Sequence, residues 1–182
     1  MRKNYEIGVQ WRAFPLHPET PEEGITLQEL FAGRGVDGEK AKLRLKQVAD
    51  ELGLPLGERD KTYNSRLAQE LAKWAEVKGK GDPFHDGVFR AYYVYGKNIG
   101  RKDELVSLAK SIGLPEEEGR SVLEQRTYKE AVDADWSRSH ALGITAVPTF
   151  LMNGNEVVGA QPYEVLEHLL KTCGAPKRNH RA

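Results

Sequence analysis

The sequence predicts an α/β protein in which a small sheet receives a large helical block. Three observations predict it. Tyr5 to Phe14 alternates, with Tyr5, Ile7, Val9 and Trp11 on one face, which reads as a strand. Helical periodicity then dominates up to Leu142. Beyond it, Gly143-Ile144-Thr145-Ala146-Val147-Pro148-Thr149-Phe150 and Asn153-Gly154 place two short apolar runs around a tight turn, a β-hairpin, with a final helix behind it.

Each element follows in order. Pro15 and Pro18 end the first strand, and residues 20–24 read as loop. A helix over 39–52 sets Ala41, Leu45, Val48, Ala49 and Leu52 on one face, predicted to be core, with Gly53 as its stop. Asn64 or Ser65 is placed to cap the next helix, which carries Leu67, Leu71, Trp74 and Ala75 and stops at Gly79. Asp82-Pro83 reads as a cap followed by a proline at the first helical position. The stripe Phe84, Val88, Tyr92 and Tyr95 reads as core, with a wall for substrate as the minor alternative. Helices over 103–112, 115–123 and 127–142 follow, the last closed by Gly143. Strands over 149–152 and 156–158 form the hairpin. Gln161 reads as the cap of a helix over 162–172, and Lys177 to Ala182 as a polar, mobile tail.

Composition bounds the function. A chain of 182 residues buries roughly 70% of its unfolded surface, enough for a core without disulfides or metal. Lys plus Arg (27) equals Asp plus Glu (27), so no global field attracts nucleic acid or anionic membrane. No run of ~18 apolar residues spans a membrane, and the first residues lack the apolar core of a secretory signal; a cytoplasmic location is the expectation. A single cysteine, Cys173, excludes an internal disulfide and a cysteine-rich metal site. His85 and His140 have no second ligand at i+4, and no metal or cofactor is expected. There is no glycine-rich phosphate loop, Ser-His-Asp arrangement or paired acid motif. The basic residues of the tail (Lys177, Arg178, Arg181) read as a solvated end.

The chemistry points to residues 146–148. Val147-Pro148 is a candidate cis peptide, because X-Pro bonds take cis at modest cost. A trans proline opening an edge strand is the alternative on spacing. A cis proline there turns the preceding residue outward, freeing its backbone to pair with an extended peptide or a thiol ligand. Ala146, Val147 and Pro148 are therefore the candidate substrate-binding residues. His17, Asn64 and Gln161 are candidates for a cleft rim, beside the plainer readings of loop histidine for the first and helix caps for the other two.

These residues also carry a resemblance. GITAVPTF and NGNEVVGAQP, together with WRAFPLHPETPEEG, NSRLAQELAKWA and FHDGVFRAYYVYGKNIG, resemble the DsbA-like thioredoxin family, in its FrnE-type dithiol–disulfide isomerase branch, from Tyr5 to Thr172. The resemblance implies a thioredoxin-like sheet from residues 1–24 and 143–176. The inserted helical domain is 25–142 and the tail 177–182. It also implies a first core strand and a Cys-x-x-Cys helix that this sequence lacks. The exchange reaction needs a thiolate at lowered pKa. Cys173, expected at the C-terminal end of the last helix, is in the wrong place for one.

The resemblance thus implies a thiol–disulfide oxidoreductase or isomerase class without its dithiol in this chain, a truncated form. Whether the chain is an enzyme is left open. The alternatives are a non-catalytic module that binds a peptide or partner through the proline loop, and a glutathione-binding isomerase or transferase relative. The expected partners are a thiol- or disulfide-containing peptide or a small thiol. A second copy of the chain is a further candidate, as a homodimer that completes the sheet.

Overall fold

The computed structural model describes residues 1–32, 35 and 37–178. In chain order the elements are β1 (Ile25–Thr26), α1 (Leu27–Phe31), α2 (Gly38–Glu51), β2 (Lys61–Thr62), α3 (Arg66–Val77), α4 (Gly81–Phe89), a π-helical turn (Arg90–Val94), α5 (Lys102–Ser111), α6 (Glu116–Gln125), α7 (Lys129–Ala141), β3 (Thr149–Met152), β4 (Asn155–Val158) and α8 (Tyr163–Thr172). Among the described residues no helix is long and apolar enough to cross a membrane. The chain divides into a helical unit, 17–133, and a hairpin unit, 1–16 with 134–182. The divisions fall away from the expected 24/25 and 142/143, for visible reasons. Asn64 Nδ2 donates to the carbonyls of Pro18 (3.1 Å) and Thr20 (2.7 Å), tying that loop to the start of α3. Asp135 holds Arg12 and the Ala13 N–H, tying the later part of α7 to residues 12–13.

The helical unit owns a sealed core. Leu71, Trp74 and Ala75 of α3, Phe84 of α4, Leu105 of α5 and Leu123 of α6 are all at most 1% exposed. The spacing on α3 puts its apolar residues on one stripe, and Trp74 completes the packing by donating Nε1–H to Glu118 Oε1 at 3.0 Å. Glu70, also on α3 and 1% exposed, accepts Arg66 Nε (2.6 Å) and both Arg126 Nε and Nη2 (2.7 Å each). Burial pushes its carboxyl upward, but the bonds and charges of Arg126 and Arg66 outweigh this and hold its pKa below the ordinary range. Arg66 also binds Asp133 Oδ1 (2.7 Å), extending the network to the start of α7.

Several sequence expectations are corrected here. Residues 5–14 form no strand among the described residues; Tyr5 alone makes an isolated antiparallel bridge, to Lys177. Alternation prepares a strand, but a ladder needs a neighbour at hydrogen-bonding distance. On α2 only Ala49 is buried, while Leu45, Val48 and Leu52 of its expected core face are exposed. The stripe from Phe84 breaks at Tyr95, which is exposed. The wider π turn, closed by Tyr95 N–H to Arg90 O at 3.1 Å, shifts the helical phase there. It also leaves the Tyr93 carbonyl to accept Gly57 N–H at 3.0 Å; a Cβ on Gly57 would lie 2.0 Å from Val94 O, so only glycine passes. Helix α4 begins at Gly81 with Lys80 as its cap residue, leaving Asp82 and Pro83 inside the first turn. The loose tail expected from Lys177 does not hold for Lys177 and Arg178. Lys177 bridges Tyr5, and Arg178 N–H donates to Asn4 O at 2.9 Å. The rest of that tail, including Arg181, lies outside the described residues.

Candidate functional site

The hairpin unit builds the proline loop from both sides. On its entry side α7 closes at Gly143, whose φ of +68° is the left-handed cap conformation. Gly143 N–H donates to His140 O and Ile144 N–H to Ser139 O, both at 3.0 Å, which satisfies the last carbonyls of the helix. On its exit side β3 pairs antiparallel with β4 in the register Thr149–Val158, Phe150–Val157, Leu151–Glu156 and Met152–Asn155. Asn153 (φ +48°) and Gly154 (φ +80°) supply the two left-handed residues that a two-residue hairpin turn requires.

Between these supports Thr145, Ala146, Val147 and Pro148 are exposed, and the Val147–Pro148 bond is cis. Thr149 Oγ1 donates to Ala146 O at 2.7 Å, closing a turn over the proline. Pro148 O accepts Gly159 N–H at 2.7 Å, fastening the loop to the end of β4. Gln161 belongs to the same assembly but caps nothing. Its Nε2 donates to Val158 O at 2.9 Å, while the cap residue of α8 is Pro162 and makes no side-chain bond. Proline and the adjacent amide, rather than a capping side chain, set the entry to α8.

His17 and Asn64 lie in the helical unit. The three bonds of Asn64 are structural: two to the 18–20 loop, and one accepted from Arg66 N–H at 2.9 Å at the start of α3. His17 Nδ1 lies 4.0 Å from Glu19 Oε1, and its carbonyl accepts Thr20 N–H. Beside them the Thr20 hydroxyl is buried without a hydrogen-bond partner among the described residues.

Cys173 is the residue that closes α8. Its thiol donates to Met152 O at 3.2 Å, and Asn155 Nδ2 approaches the sulfur at 3.6 Å, so it packs on the turn end of the hairpin. Among the described residues no group of three His, Cys, Asp or Glu is arranged to hold a metal ion.

Two residues that make structural bonds in this unit escaped the sequence reading, Thr149 at the loop and Asp135 away from it. Thr149 had a signal, a hydroxyl directly after the proline. Asp135 had none. It is 3% exposed, accepts Arg12 Nη1 and Ala13 N–H at 2.9 Å each, and so anchors the segment that precedes Pro15. A separate open cleft of about 320 Å³ lies in the helical unit, floored by Ala91, Ile99, Leu105 and Leu108. Its cations are neutralised, Arg90 by Asp86 and Lys97 by Glu104, each at 2.9 Å.

Known proteins are similar to this chain in sequence or in fold. The uncharacterised protein YwbO of Bacillus subtilis is 27% identical over 173 residues, 91% of this chain and 82% of that protein. The crystal structure of a probable DsbA oxidoreductase from Streptomyces coelicolor superposes with a TM-score of 0.81 at 28% identity, covering 90% of this chain and 74% of that one. A 2-hydroxychromene-2-carboxylate isomerase shares the fold alone, with a TM-score of 0.65 at 18% identity over 83% of this chain and 70% of that one. The family model for the DSBA-like thioredoxin domain matches residues 1–171, and the chain belongs to that family, with its thioredoxin-like α/β fold.

Proposed function

We propose that this chain is a thiol–disulfide oxidoreductase or isomerase relative of the FrnE type. In this reading residues 146–148 form its substrate-side surface. The loop carries it: three exposed residues at the start of β3, with the Ala146 carbonyl held by Thr149 and the Pro148 carbonyl by Gly159. Family membership and the Streptomyces coelicolor neighbour support the class. Backbone groups at such a strand start bind an extended chain by strand-type hydrogen bonds, and the exposed Val147 offers an apolar contact.

The same reading assigns binding rather than exchange to these 182 residues. Disulfide exchange starts from an activated thiolate, and the one cysteine here ends a helix and packs on the hairpin turn. The ligand class is an extended peptide bearing a thiol or disulfide. Calorimetry with a cysteine-containing peptide tests it: measurable binding is expected, weakened about tenfold by Val147→Glu, while glutathione alone binds weakly or not at all. Insulin reduction is expected to stay at the buffer rate. Equal binding by the Val147→Glu chain would overturn the assignment of the loop, and a clear insulin-reduction rate would overturn the assignment of binding without exchange.

A further inference from the structure

We propose that Arg59, with the aromatic rings of Phe89 and Tyr93, binds a small aromatic carboxylate. The site lies within the helical unit. It shares no residue with the 146–148 loop and does not rest on the peptide-binding reading.

The guanidinium of Arg59 is held in place. It lies over the Tyr92 ring, 4.2 Å from the centroid, and 5.2 Å from the centroid of Tyr93. Its Nη1 donates to Lys61 O at 3.2 Å and to the Tyr92 hydroxyl. That hydroxyl is paired in turn with Oγ1 of the buried Thr62 at 2.8 Å. The backbone just before it is pinned as well, since Gly57 N–H donates to Tyr93 O at 3.0 Å. Two rings set the plane of the group, and the Nη1 bonds set its direction.

The other edge of the group is unused. Among the described residues Nε and Nη2 donate no hydrogen bond, and no carboxylate pairs with Arg59, although Glu58 and Asp60 flank it in sequence. The contrast with Arg12, Arg66, Arg90, Arg120 and Arg126 is direct, because each of those meets a carboxylate at 2.9 Å or less. Nε–H and Nη2–H form the parallel pair of donors that matches the two oxygens of a carboxylate. A guanidinium already fixed by its own fold loses little freedom when it binds.

The rings specify the rest of the ligand. Tyr93 meets Tyr92 edge-on, with centroids 4.8 Å apart at 78°, and stacks on Phe89 at 6.3 Å and 27°. Phe89 is 48% exposed, so the aromatic run that starts under the guanidinium ends at an open ring. Both tyrosines belong to the π turn, a helical irregularity that often marks functional sites. The occupant therefore needs a planar anion for the fork and an apolar ring for Phe89. A bare phosphate satisfies only the first need, and an uncharged aromatic only the second.

Nuclear magnetic resonance titration of the chain with 3-phenylpropionate at pH 7 tests this, read on the Arg59 Nε–H and Tyr93 ring resonances. Saturable binding is expected, with a Kd on the order of 1 mM for so small a ligand. The alcohol 3-phenylpropanol, propionate and inorganic phosphate should each bind at least about tenfold more weakly. Arg59→Gln should weaken 3-phenylpropionate about tenfold. Arg59→Lys, which keeps the charge but not the fork, should do the same. Phe89→Ala, at a half-exposed ring, should weaken it about fivefold with unchanged far-ultraviolet helicity. No saturation by about 10 mM overturns the proposal. So does equal binding of the alcohol, or parental affinity in either Arg59→Lys or Phe89→Ala.

Discussion

The helical unit and the hairpin unit use the same apolar residue types to opposite effect. In residues 17–133, Leu71, Phe84, Leu105 and Leu123 are sealed, and the deeply buried carboxylate of Glu70 is met by two guanidinium groups. In residues 1–16 with 134–182, Val147, Phe150, Leu151 and Val158 are open, and the buried apolar side chains among the described residues are Leu169 and Leu170 of α8 and Tyr5, whose hydroxyl donates to Glu167 of the same helix. Helices carry their backbone hydrogen bonds within themselves, so a bundle can close its own core. A hairpin cannot: its outer edges and faces need further layers of chain. The loop proposed to bind falls in the second of these units, where Val147 and the start of β3 remain open.

The sharpest way to break the comparison is a matched pair of truncations. Phe84→Ala empties a fully buried site in the helical unit and should cost about 3–5 kcal/mol. Phe150→Ala removes a ring that is already partly solvated and should cost under about 1 kcal/mol to the isolated chain. Urea denaturation of the two variants measures both. Similar losses would mean that the hairpin is as well packed as the bundle.

Next in size is the Glu70 network. Its carboxyl is held below its ordinary 4.5 in the folded chain. The stability this contributes is present above the unfolded value and is lost as pH falls through the folded one. Glu70→Gln breaks a buried charge arrangement and leaves two arginines underpaired, with an expected loss of about 3 kcal/mol at pH 7. The variant should also lose less stability than the parent between pH 5 and pH 3. Urea midpoints at both pH values read this difference directly, and parallel pH profiles would remove Glu70 from the account.

Within the hairpin unit the largest single effect should come from Asp135→Ala. It strands the Ala13 N–H and releases Arg12, whose side chain is already 45% exposed, so about 1–3 kcal/mol is expected. Hydrogen exchange at Ala13 should rise with it, while the amides of α3 keep their protection. An equal rise in α3 would show that the two units unfold together.

What could be read in advance divides along the same line. The helices from Arg66 to Ala141 were legible to within a few residues, because helical periodicity and glycine stops are local signals; Gly79, Gly113 and Gly143 all take left-handed φ values. The hairpin and its Asn-Gly turn were legible for the same reason. Residues 5–14 were misread because alternation reports readiness to pair and says nothing about a neighbour. The exposed face of α2 was misread likewise: amphipathic spacing shows which side seeks cover, and the nearby chain covers only Ala49. The two-residue ladder of Ile25–Thr26 with Lys61–Thr62 and the π turn at Arg90–Val94 depend on contacts distant in sequence, so no local pattern announced them. At the site, residues 146–148 were legible as a loop, whereas elsewhere in that unit Asp135 acts through partners in residues 12–13 that spacing does not show.

The smallest effect should come from the residue that a redox reading would rank first. Cys173 gives one hydrogen bond to Met152 O and receives a long contact from Asn155, at the end of a helix rather than its beginning. Serine keeps a donor at that position with a smaller atom, so Cys173→Ser should change stability by less than about 0.5 kcal/mol. Peptide affinity should also be unchanged, since nothing that holds Ala146 or Pro148 involves the thiol. A loss of binding in that variant would place the sulfur in the site, and with it return the chemistry of exchange to a unit otherwise built only to hold.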